Sequence, residues 1–478
     1  MIAQILAAAA LATASAGAQP ALRSARVGGD WTRFGYDAAR HNSGPSATGV
    51  TAANLGTLRT QRITLDGTVD SSPIYLRDVT TSGGVADLFI VTTSYGKTIA
   101  VDAATGAIVW RFTPEGFPSW AGSSRITHSS PVADPSRLYV YSASPDGRIH
   151  KLAVASGREV QSGQWPVAIT RDSRHEKIGP ALNFVRGMVL AATGGYFGDA
   201  PPYQGHVVAI DAISGRLAHV WNSLCSNRQG LIDPSSCAES GSAIWARSGV
   251  VVEPSTGQLL VATGDGKFDG RANWGDSVLV LSRDAGRLLR NWTPRNHKQL
   301  ESGDVDLGST APALLTARRA VQGGKDGKLR LLDLQRLNGR TSRPGPTTGG
   351  ELQTLSTPGG AGLFTAPAVW HIHGGTWLFV ANGSGTVAYV LRGGRLRVVW
   401  RRGAGGTSPI VAGNLLYVYD PAGALNVYSP TSGNRLTQLR AGPGHWNSPI
   451  VTDGRIALPE GDANDHRTSG VLNIYRVP

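Results

Sequence analysis

A strand–turn–strand phrase recurs along the chain, and it constrains the fold more than any other feature. One copy, DLFIVTTSYGKTIAVDAATGAIVW, runs from Asp87 to Trp110. In each copy β-branched or aromatic residues alternate with others, a glycine-containing turn follows, and a second such run comes after it. Further copies begin at Arg137, His206, Ser277 and Leu416. The chain is therefore predicted to be all-β.

A short segment that contains a small residue, usually followed by proline, precedes each repeat. These segments give eight starts that lie 40 to 69 residues apart, at Pro73, Pro131, Pro180, Ala243, Pro312, Pro367, Pro409 and Pro449. A unit of this length built from four short strands is typical of a β-propeller blade. One blade cannot bury its own faces, so the blades must stack around an axis. The sequence predicts an eight-bladed β-propeller.

The last repeat supplies three strands, SPIVT, GRIALPEG and GVLNIYRVP, and therefore lacks a fourth. The stretch Leu55–Leu65 alternates as a strand does and precedes the first blade. We expect it to complete the eighth blade, which would cover an otherwise open sheet edge. The alternative is a seven-bladed ring with one irregular unit. In either case residues 19–478 are predicted to form a single domain.

The first 18 residues have the pattern of a secretory signal peptide. A short apolar run, IAQILAAAALATASA, ends in the small residues Ala16, Gly17 and Ala18. The run is too short to span a bilayer, and no other segment is apolar enough to do so. The mature chain is predicted to be soluble and exported, to the periplasm or the extracellular space.

The two cysteines, Cys225 and Cys237, lie in the loop-like stretch SLCSNRQGLIDPSSC. An even cysteine count in an exported protein favours a disulfide that holds this loop. Two unlinked thiols are the alternative, and metal binding would need further ligands.

The net charge of +13 raises the question of nucleic-acid binding. However, the arginines are scattered along strands and turns, with no long basic run beyond the neighbourhood of Arg401 and Arg402. Solvated blade faces explain this pattern better, so no nucleic-acid partner is predicted.

The phrases AVDAATGAIVW and AIDAISGRLAHVW resemble the repeat of pyrroloquinoline quinone (PQQ) dehydrogenases and their propeller relatives. The head WTRFGYDAARHNSGPSATGVTAANLGTLR is similar to the lead-in of that superfamily. The resemblance covers nearly all of the predicted mature chain and implies the propeller fold. It implies less about activity, because the same repeat also builds non-enzymatic scaffolds such as the outer-membrane assembly lipoprotein.

The resemblance implies a cofactor site at the mouth of the ring. In the dehydrogenases a Gly-rich segment with a tryptophan leads into a strand that ends Gly-x-Gly-Asn. The stretch SGSAIWARSGVVVEPSTGQLLVATGDG matches this layout. It puts Trp245 at the position that stacks under PQQ, and Asp265 in place of the asparagine ligand of calcium. An aspartate oxygen is also an acceptable ligand for a hard cation.

Three further elements of the family have counterparts here. ESGDVDLGSTAPALL supplies Asp304 and Asp306 as candidates for the catalytic base. GGKDGKLRLLDL supplies Lys325 where the family's Arg or Lys polarises the quinone oxygens. The calcium-binding glutamate has an approximate counterpart in Asp199. Oxidation of an alcohol needs a base near the hydroxyl and an electrophilic quinone carbon, which a divalent cation and a lysine would both promote.

The chain also departs from the family pattern. The family's pair of adjacent cysteines is absent, and there is no Cys-x-x-Cys-His for an attached haem, so electrons would need an external acceptor. Each candidate residue also has a plainer interpretation. Trp245 could be a blade-packing tryptophan, Asp265 and Lys325 turn residues, and Asp304 and Asp306 a solvated acidic loop.

Two function classes therefore stand side by side. The first is a quinoprotein that oxidises an alcohol or sugar with PQQ and calcium. The second is a cofactor-free propeller that binds a protein or glycan at the same face. His371 and His373 alternate on a strand and could bind a metal, but without a third partner in the sequence they are interpreted as a strand face. Whether the candidate residues converge on one cavity at the axis would discriminate between the two classes.

Overall fold

The computed structural model describes residues 27–337 and 348–478. Within them, eight four-stranded antiparallel sheets form the blades of a propeller, which confirms the predicted fold class. The predicted signal peptide lies outside the described residues, so that prediction is not tested. Among the described residues, no helix is long and apolar enough to cross a membrane.

Blades 1 to 7 each add their four strands in chain order from the inside outwards. Blade 1 consists of Ile74–Thr81, Gly84–Thr92, Thr98–Asp102 and Ile108–Phe112, and blade 2 of Val132–Ala133, Tyr139–Ala143, Arg148–Ala153 and Val167–Ala168. Blade 3 consists of Asn183–Val185, Met188–Ala192, His206–Asp211 and Leu217–Asn222, and blade 4 of Val251–Val252, Leu259–Ala262, Val278–Leu281 and Leu288–Trp292. Blade 5 consists of Ala313–Thr316, Arg319–Gln322, Lys328–Asp333 and Gln353–Ser356, and blade 6 of Ala368–Ile372, Gly375–Asn382, Gly385–Arg392 and Arg395–Arg402. Blade 7 consists of Ile410–Ala412, Leu415–Asp420, Ala424–Tyr428 and Arg435–Arg440.

The eighth blade joins the two ends of the described chain. Its inner three strands are Ile450–Thr452, Arg455–Glu460 and Gly470–Arg476, and its outer strand is Arg59–Leu65. The outer strand pairs antiparallel with Gly470–Arg476, with Arg59 opposite Arg476 and Leu65 opposite Gly470. The pairing removes an open edge from the ring.

The remaining elements are short. A two-stranded sheet pairs Glu176–Lys177, in the connection from blade 2 to blade 3, with Gly194–Gly195, which follow the second strand of blade 3. The one α-helix of the described residues is His297–Ser302. The 3-10 helices are Leu55–Thr57, Phe117–Ser119, Pro234–Ser236, Leu307–Ser309, Pro358–Gly360 and Ala463–Asp465.

The ring is held together by apolar clusters that lie between neighbouring blades. For example, Trp165 and Ile169 from the end of blade 2 pack in one buried cluster with Phe184 and Val208 of blade 3. The largest cluster extends over blades 7, 8 and 1 and so seals the junction of the ring. Period-2 alternation produces this arrangement, since the two faces of each sheet meet different neighbours.

One end of the ring is crossed by residues 31–50, which we call the floor segment. Its backbone meets the first strands of several blades in turn. Val252 N donates to Ala38 O at 3.0 Å, Val369 N to His41 O at 2.7 Å, and Val411 N to Asn42 O at 2.9 Å. These contacts fall within the first strands of blades 4, 6 and 7.

Two side chains of the floor segment lie at the centre of the ring. Phe34 is fully buried and packs against Ala181 of the blade 3 lead-in and Ala366 of the blade 6 lead-in. Buried Arg40 donates from its guanidinium to the carbonyl oxygens of Phe34 and Leu182, at 2.6 and 2.7 Å. The floor segment therefore closes this end of the central channel.

Two sequence features can be compared directly with the structure. Cys225 and Cys237 form a disulfide with their Cα atoms 6.2 Å apart, as predicted. The first strand of blade 4 begins at Val251, eight residues later than the start predicted at Ala243. The intervening residues contact blade 3 through a hydrogen bond from Ile244 N to Thr193 O and then turn at Gly249, so they form loop rather than strand.

Candidate active site

A cavity of about 1130 Å³ opens at the end of the ring opposite the floor segment. Its wall comes from the segments that precede the blades and from the turns that follow their second strands. All six residues singled out in the sequence line it, namely Asp199, Trp245, Asp265, Asp304, Asp306 and Lys325. The structure therefore brings the whole predicted set together at the ring axis. His371 is not among the lining residues; it lies on a blade 6 strand against the ring of His41, at 5.2 Å between centroids.

Trp245 lies in the loop before blade 4 and has aromatic neighbours from two other blades. Its ring centroid is 5.9 Å from that of Trp446, with 28° between the planes, and 6.1 Å from that of Phe364. These three side chains come from the lead-in segments of blades 4, 8 and 6. They give the cavity a broad aromatic surface, which suits a flat conjugated ligand.

Three carboxylates form what we call the acidic cluster, Asp265, Asp304 and Asp306. One oxygen from each lies within 4.8 Å of the others. Asp306 Oδ1 accepts a hydrogen bond from Asp265 N at 2.8 Å. Gly264 makes this approach possible, because a Cβ atom there would collide with the Asp306 carboxylate. Asp199 lines the same cavity outside this group of three.

Lys325 is the cation that faces the acidic cluster. Its Nζ donates to Asp304 Oδ1 at 2.7 Å and forms an ion pair with Asp306. The same ammonium lies 5.8 Å from the centroid of the Trp245 ring. Although burial alone would lower the pKa of Lys325, the charges of Asp306 and Asp304 raise it, so the lysine stays protonated.

The acidic side has more negative charge than its one lysine balances. Burial, and after it the hydrogen bond and charge of Asp306, raise the pKa of Asp265 to about 8. Burial raises the pKa of Asp276, directly behind the cluster, to about 8. Burial and then the charge of Asp306 also raise the pKa of Asp199. Closely spaced carboxylates that resist ionising together favour a bound cation, and their all-oxygen donors suit a hard one such as Ca²⁺.

The other side of the cavity has a group that the sequence did not reveal. We call Asp70, His128 and His445 the histidine cluster. His445 Nδ1 lies 2.8 Å from Asp70 Oδ2, and His128 Nε2 lies 3.5 Å from the same oxygen. Although burial opposes ionisation, the hydrogen bond from His445 holds the pKa of Asp70 well below its usual range.

Two cations lie close to the histidine cluster. Arg247 donates from Nη1 to the carbonyl oxygen of His128 at 2.8 Å, and its guanidinium lies 5.5 Å from the Trp446 ring centroid. Lys177 lies in the two-stranded sheet, and burial lowers the pKa of its ammonium to about 8. Within residues 27–337 and 348–478 this ammonium has no hydrogen-bond partner, and it faces the Tyr196 ring at 5.7 Å.

Sequence signals for this side exist but are weak. GHWNSP and THSSP are lead-in phrases, in which His445 and His128 stand four and three residues before the proline that marks a blade start. Asp70 stands likewise three residues before Pro73. Because all lead-in segments point to the axis in a propeller, a polar residue shared by several of them would have been the available clue.

Comparison with known proteins supports the resemblance noted in the sequence. A family model described as outer membrane protein assembly factor BamB matches residues 69–230, about a third of the chain. A curated relative, the quinohemoprotein alcohol dehydrogenase ADH IIB of Pseudomonas putida, is 25% identical over 304 residues. That match covers 58% of this chain but 41% of the relative, so the chain spans less than half the length of that enzyme.

Solved structures of similar fold include dehydrogenases. The quinohemoprotein alcohol dehydrogenase from Comamonas testosteroni superposes with a TM-score of 0.67 at 16% identity, over 94% of this chain and 80% of that one. A europium-containing methanol dehydrogenase superposes with a TM-score of 0.66 at 15% identity, over 94% of this chain and 98% of that one. At these identities the structural likeness concerns the fold.

Proposed function

The chain has the repeat and the fold of the PQQ-repeat propeller superfamily, and on this premise we propose that its central cavity is a quinoprotein-type site. The proposed reaction is oxidation of an alcohol or sugar with PQQ and calcium, followed by transfer of electrons to an external acceptor. The observation that carries the proposal is the convergence of Trp245, Lys325 and the acidic cluster on one cavity. Its volume of about 1130 Å³ has room for a tricyclic cofactor together with a small substrate.

The residues present fit the proposed groups. Asp265 and Asp306 offer oxygens to a hard cation in a place where their own mutual repulsion favours one. Asp199 can add a further oxygen from the cavity wall. Trp245 offers a ring face for the cofactor plane, and the Lys325 ammonium, close to that face, can polarise a quinone oxygen. PQQ, when bound, supplies the electrophilic carbon that accepts the hydride of the alcohol.

The two candidate bases have different surroundings. The side chain of Asp306 is 5% exposed, and its carboxylate is held by Asp265 N and Lys325. The side chain of Asp304 is 67% exposed, and Lys325 is bound to only one of its oxygens. We assign Asp304 as the base that takes the proton of the substrate hydroxyl, and Asp306 as a residue that positions Lys325 and the cation.

Calorimetric titration of the purified chain with PQQ, with and without calcium, tests the proposal. We expect calcium-dependent binding in the unaltered chain and at least tenfold weaker binding in Trp245→Ala. Trp370→Ala is the matched control, since Trp370 is partly buried in blade 6 and does not line the cavity. Asp304→Asn should still bind PQQ but lose turnover with an artificial acceptor. Equal binding in both tryptophan variants, or turnover that survives Asp304→Asn, would contradict the assignment.

A non-catalytic propeller that binds a protein or glycan is the second candidate. It is favoured by the match of residues 69–230 to an assembly-factor family, and by Phe197, an aromatic side chain at the cavity mouth that is 97% exposed. Exposed aromatic residues are common at protein interfaces. The absence of PQQ binding in the titration would favour this candidate. For either function we propose export of the chain, which the disulfide supports.

A further inference from the structure

The histidine cluster brings together three metal-ligand side chains from separate parts of the ring. Asp70, His128 and His445 stand in the lead-in segments of blades 1, 2 and 8, which the propeller brings side by side. Each offers one ligand atom, and these atoms all lie within 4.8 Å of one another. Two of the separations are 2.8 and 3.5 Å. Ligand atoms around a first-row metal with bonds of about 2.0–2.1 Å lie about 2.9–3.4 Å apart, so small side-chain shifts would complete the site.

The state of His128 is an independent indication of a ligand. This side chain is 3% exposed and lines the cavity, yet neither ring nitrogen has a hydrogen-bond partner among the described residues. Buried polar side chains nearly always have such a partner, and each exception needs an explanation. A metal ion between His128 Nε2 and the Asp70 carboxylate would supply the missing interaction.

Backbone hydrogen bonds already hold the Asp70 carboxylate in a fixed orientation, as they do for many metal ligands. Asp70 Oδ1 accepts a hydrogen bond from Trp446 N at 2.8 Å, and Oδ2 accepts one from Ala463 N at 3.1 Å. Hydrogen bonds of this kind fix metal ligands in place. Asp70 therefore does not depend on a metal for its position, and the site is preformed.

The charges around the cluster indicate which kind of metal fits. Asp70 and Asp462, which lies 3.4 Å from His445 Nδ1, contribute negative charge, while Arg247 and Lys177 contribute positive charge nearby. The two signs roughly balance, so a hard cation attracted by charge alone gains little here. Imidazole nitrogens instead favour borderline transition metals.

We propose that Asp70, His128 and His445 bind one divalent transition metal ion, such as Zn²⁺ or Co²⁺, across the cavity from the acidic cluster. Three protein ligands leave at least one coordination position open, and the cavity lies on that side. An oxygen of a molecule bound in the cavity can take that position. This site is independent of PQQ and of the proposed oxidation.

Titration of the untagged, chelator-treated full chain with Co²⁺, in the absence of PQQ, tests this site. We expect one equivalent to bind with the visible d–d absorption of a site with nitrogen ligands. Binding should weaken at least tenfold in His128→Gln and in His445→Gln. His445 is the more exposed of the two, so its replacement is the less disruptive to folding. Thermal melting of each variant establishes that it is folded before binding is compared.

Two control variants localise the signal. His219→Gln removes a histidine that faces Asp284 at 3.7 Å on the exposed surface, and His175→Gln removes one that faces Asp172 at 2.6 Å outside the cavity lining. Both should bind Co²⁺ as the unaltered chain does. A chain that shows no stoichiometric Co²⁺ band, or a band that persists in both histidine-cluster variants, overturns the proposal. Because PQQ is absent throughout, neither result bears on the proposed oxidation.

Discussion

The two sides of the central cavity solve the problem of buried charge in opposite ways. In the acidic cluster the carboxylates face one another, and one lysine, Lys325, serves two of them. In the histidine cluster a single carboxylate, Asp70, receives two backbone N–H groups and an imidazole. In the acidic cluster the carboxylates repel one another unless a metal ion joins Lys325 in balancing them. In the histidine cluster the Asp70 carboxylate already has hydrogen-bond donors at both oxygens. An ionised aspartate is therefore stable in the histidine cluster and costly in the acidic cluster, because the two clusters supply different numbers of hydrogen-bond donors.

The largest test of this comparison replaces one carboxylate on each side by an amide. Asp70→Asn should lower the free energy of unfolding by about 2–4 kcal/mol, because one buried backbone donor loses its acceptor and the imidazole its anion. Asp265→Asn should be neutral or stabilising by about 1 kcal/mol, since it removes repulsion from Asp306. Urea unfolding at pH 8.5 with chelator measures both. Two changes of the same sign and size would show that the two sides do not differ in this way.

The two lysines of the cavity give a second, smaller contrast. Lys325→Met should destabilise the chain by about 1–3 kcal/mol, because it leaves Asp304 and buried Asp306 without their cation. Lys177→Met should change the stability by less than about 1 kcal/mol, since the ammonium it removes has no hydrogen-bond partner in the described parts of the chain and loses hydration on burial. The same unfolding series checks both variants. A greater loss from Lys177→Met would mean that this lysine has a stabilising role the contacts do not show.

A third contrast depends on pH and concerns Asp276, the aspartate behind the acidic cluster. Burial raises the pKa of Asp276 to about 8 from its ordinary value of 3.8. The folded state therefore binds more protons than the unfolded state between these values, so stability falls as pH rises through that window and levels off above it. Asp276→Asn keeps an acceptor for Leu307 N and tolerates the positive φ of 45°. At pH 8.5 it should be more stable than the unaltered chain, and the difference should become small at pH 4.5.

Thermal melting at several pH values checks this prediction. Asp284→Asn is the control, because the exposed Asp284 side chain has a lowered pKa, held down first by its hydrogen bond from Ser282. Relative to the unaltered chain, the control should lose a little stability as pH rises towards 3.8 and should change no further above that value, which is the opposite sign in a different pH range. A pH profile of Asp276→Asn that is parallel to that of the unaltered chain would show that Asp276 does not titrate differently in the folded state.

The sequence was informative where structure follows from a local pattern. The alternation of residue types along each strand, the glycine turns and the eight lead-in segments together predict the blades. The ring then follows, because each blade must bury both of its faces against its neighbours. The acidic side was also accessible, because its members stand in distinct phrases such as GDVDLG and GKDGK. The late start of blade 4 could not be predicted, since it depends on the contact between Ile244 and Thr193, which are far apart in sequence.

The histidine cluster remained hidden for a similar reason. His128 and His445 are separated by most of the chain, and each looks like an ordinary polar residue before a proline. Only the closing of the ring brings blades 8, 1 and 2 together. The floor segment was interpreted as a lead-in, and its role depends on hydrogen bonds to many blades at once.

The floor segment has a consequence for access to the cavity. Because Phe34 and its neighbours close one end of the channel, molecules that reach the cavity arrive and depart through the same mouth. A tunnel open at both ends could admit a reductant on one side and an oxidant on the other. In a cavity with one mouth, the substrate, the product and the electron acceptor must all pass through the same opening. If the proposed oxidation takes place here, substrate and electron acceptor therefore compete for that opening, and each in excess will obstruct the other.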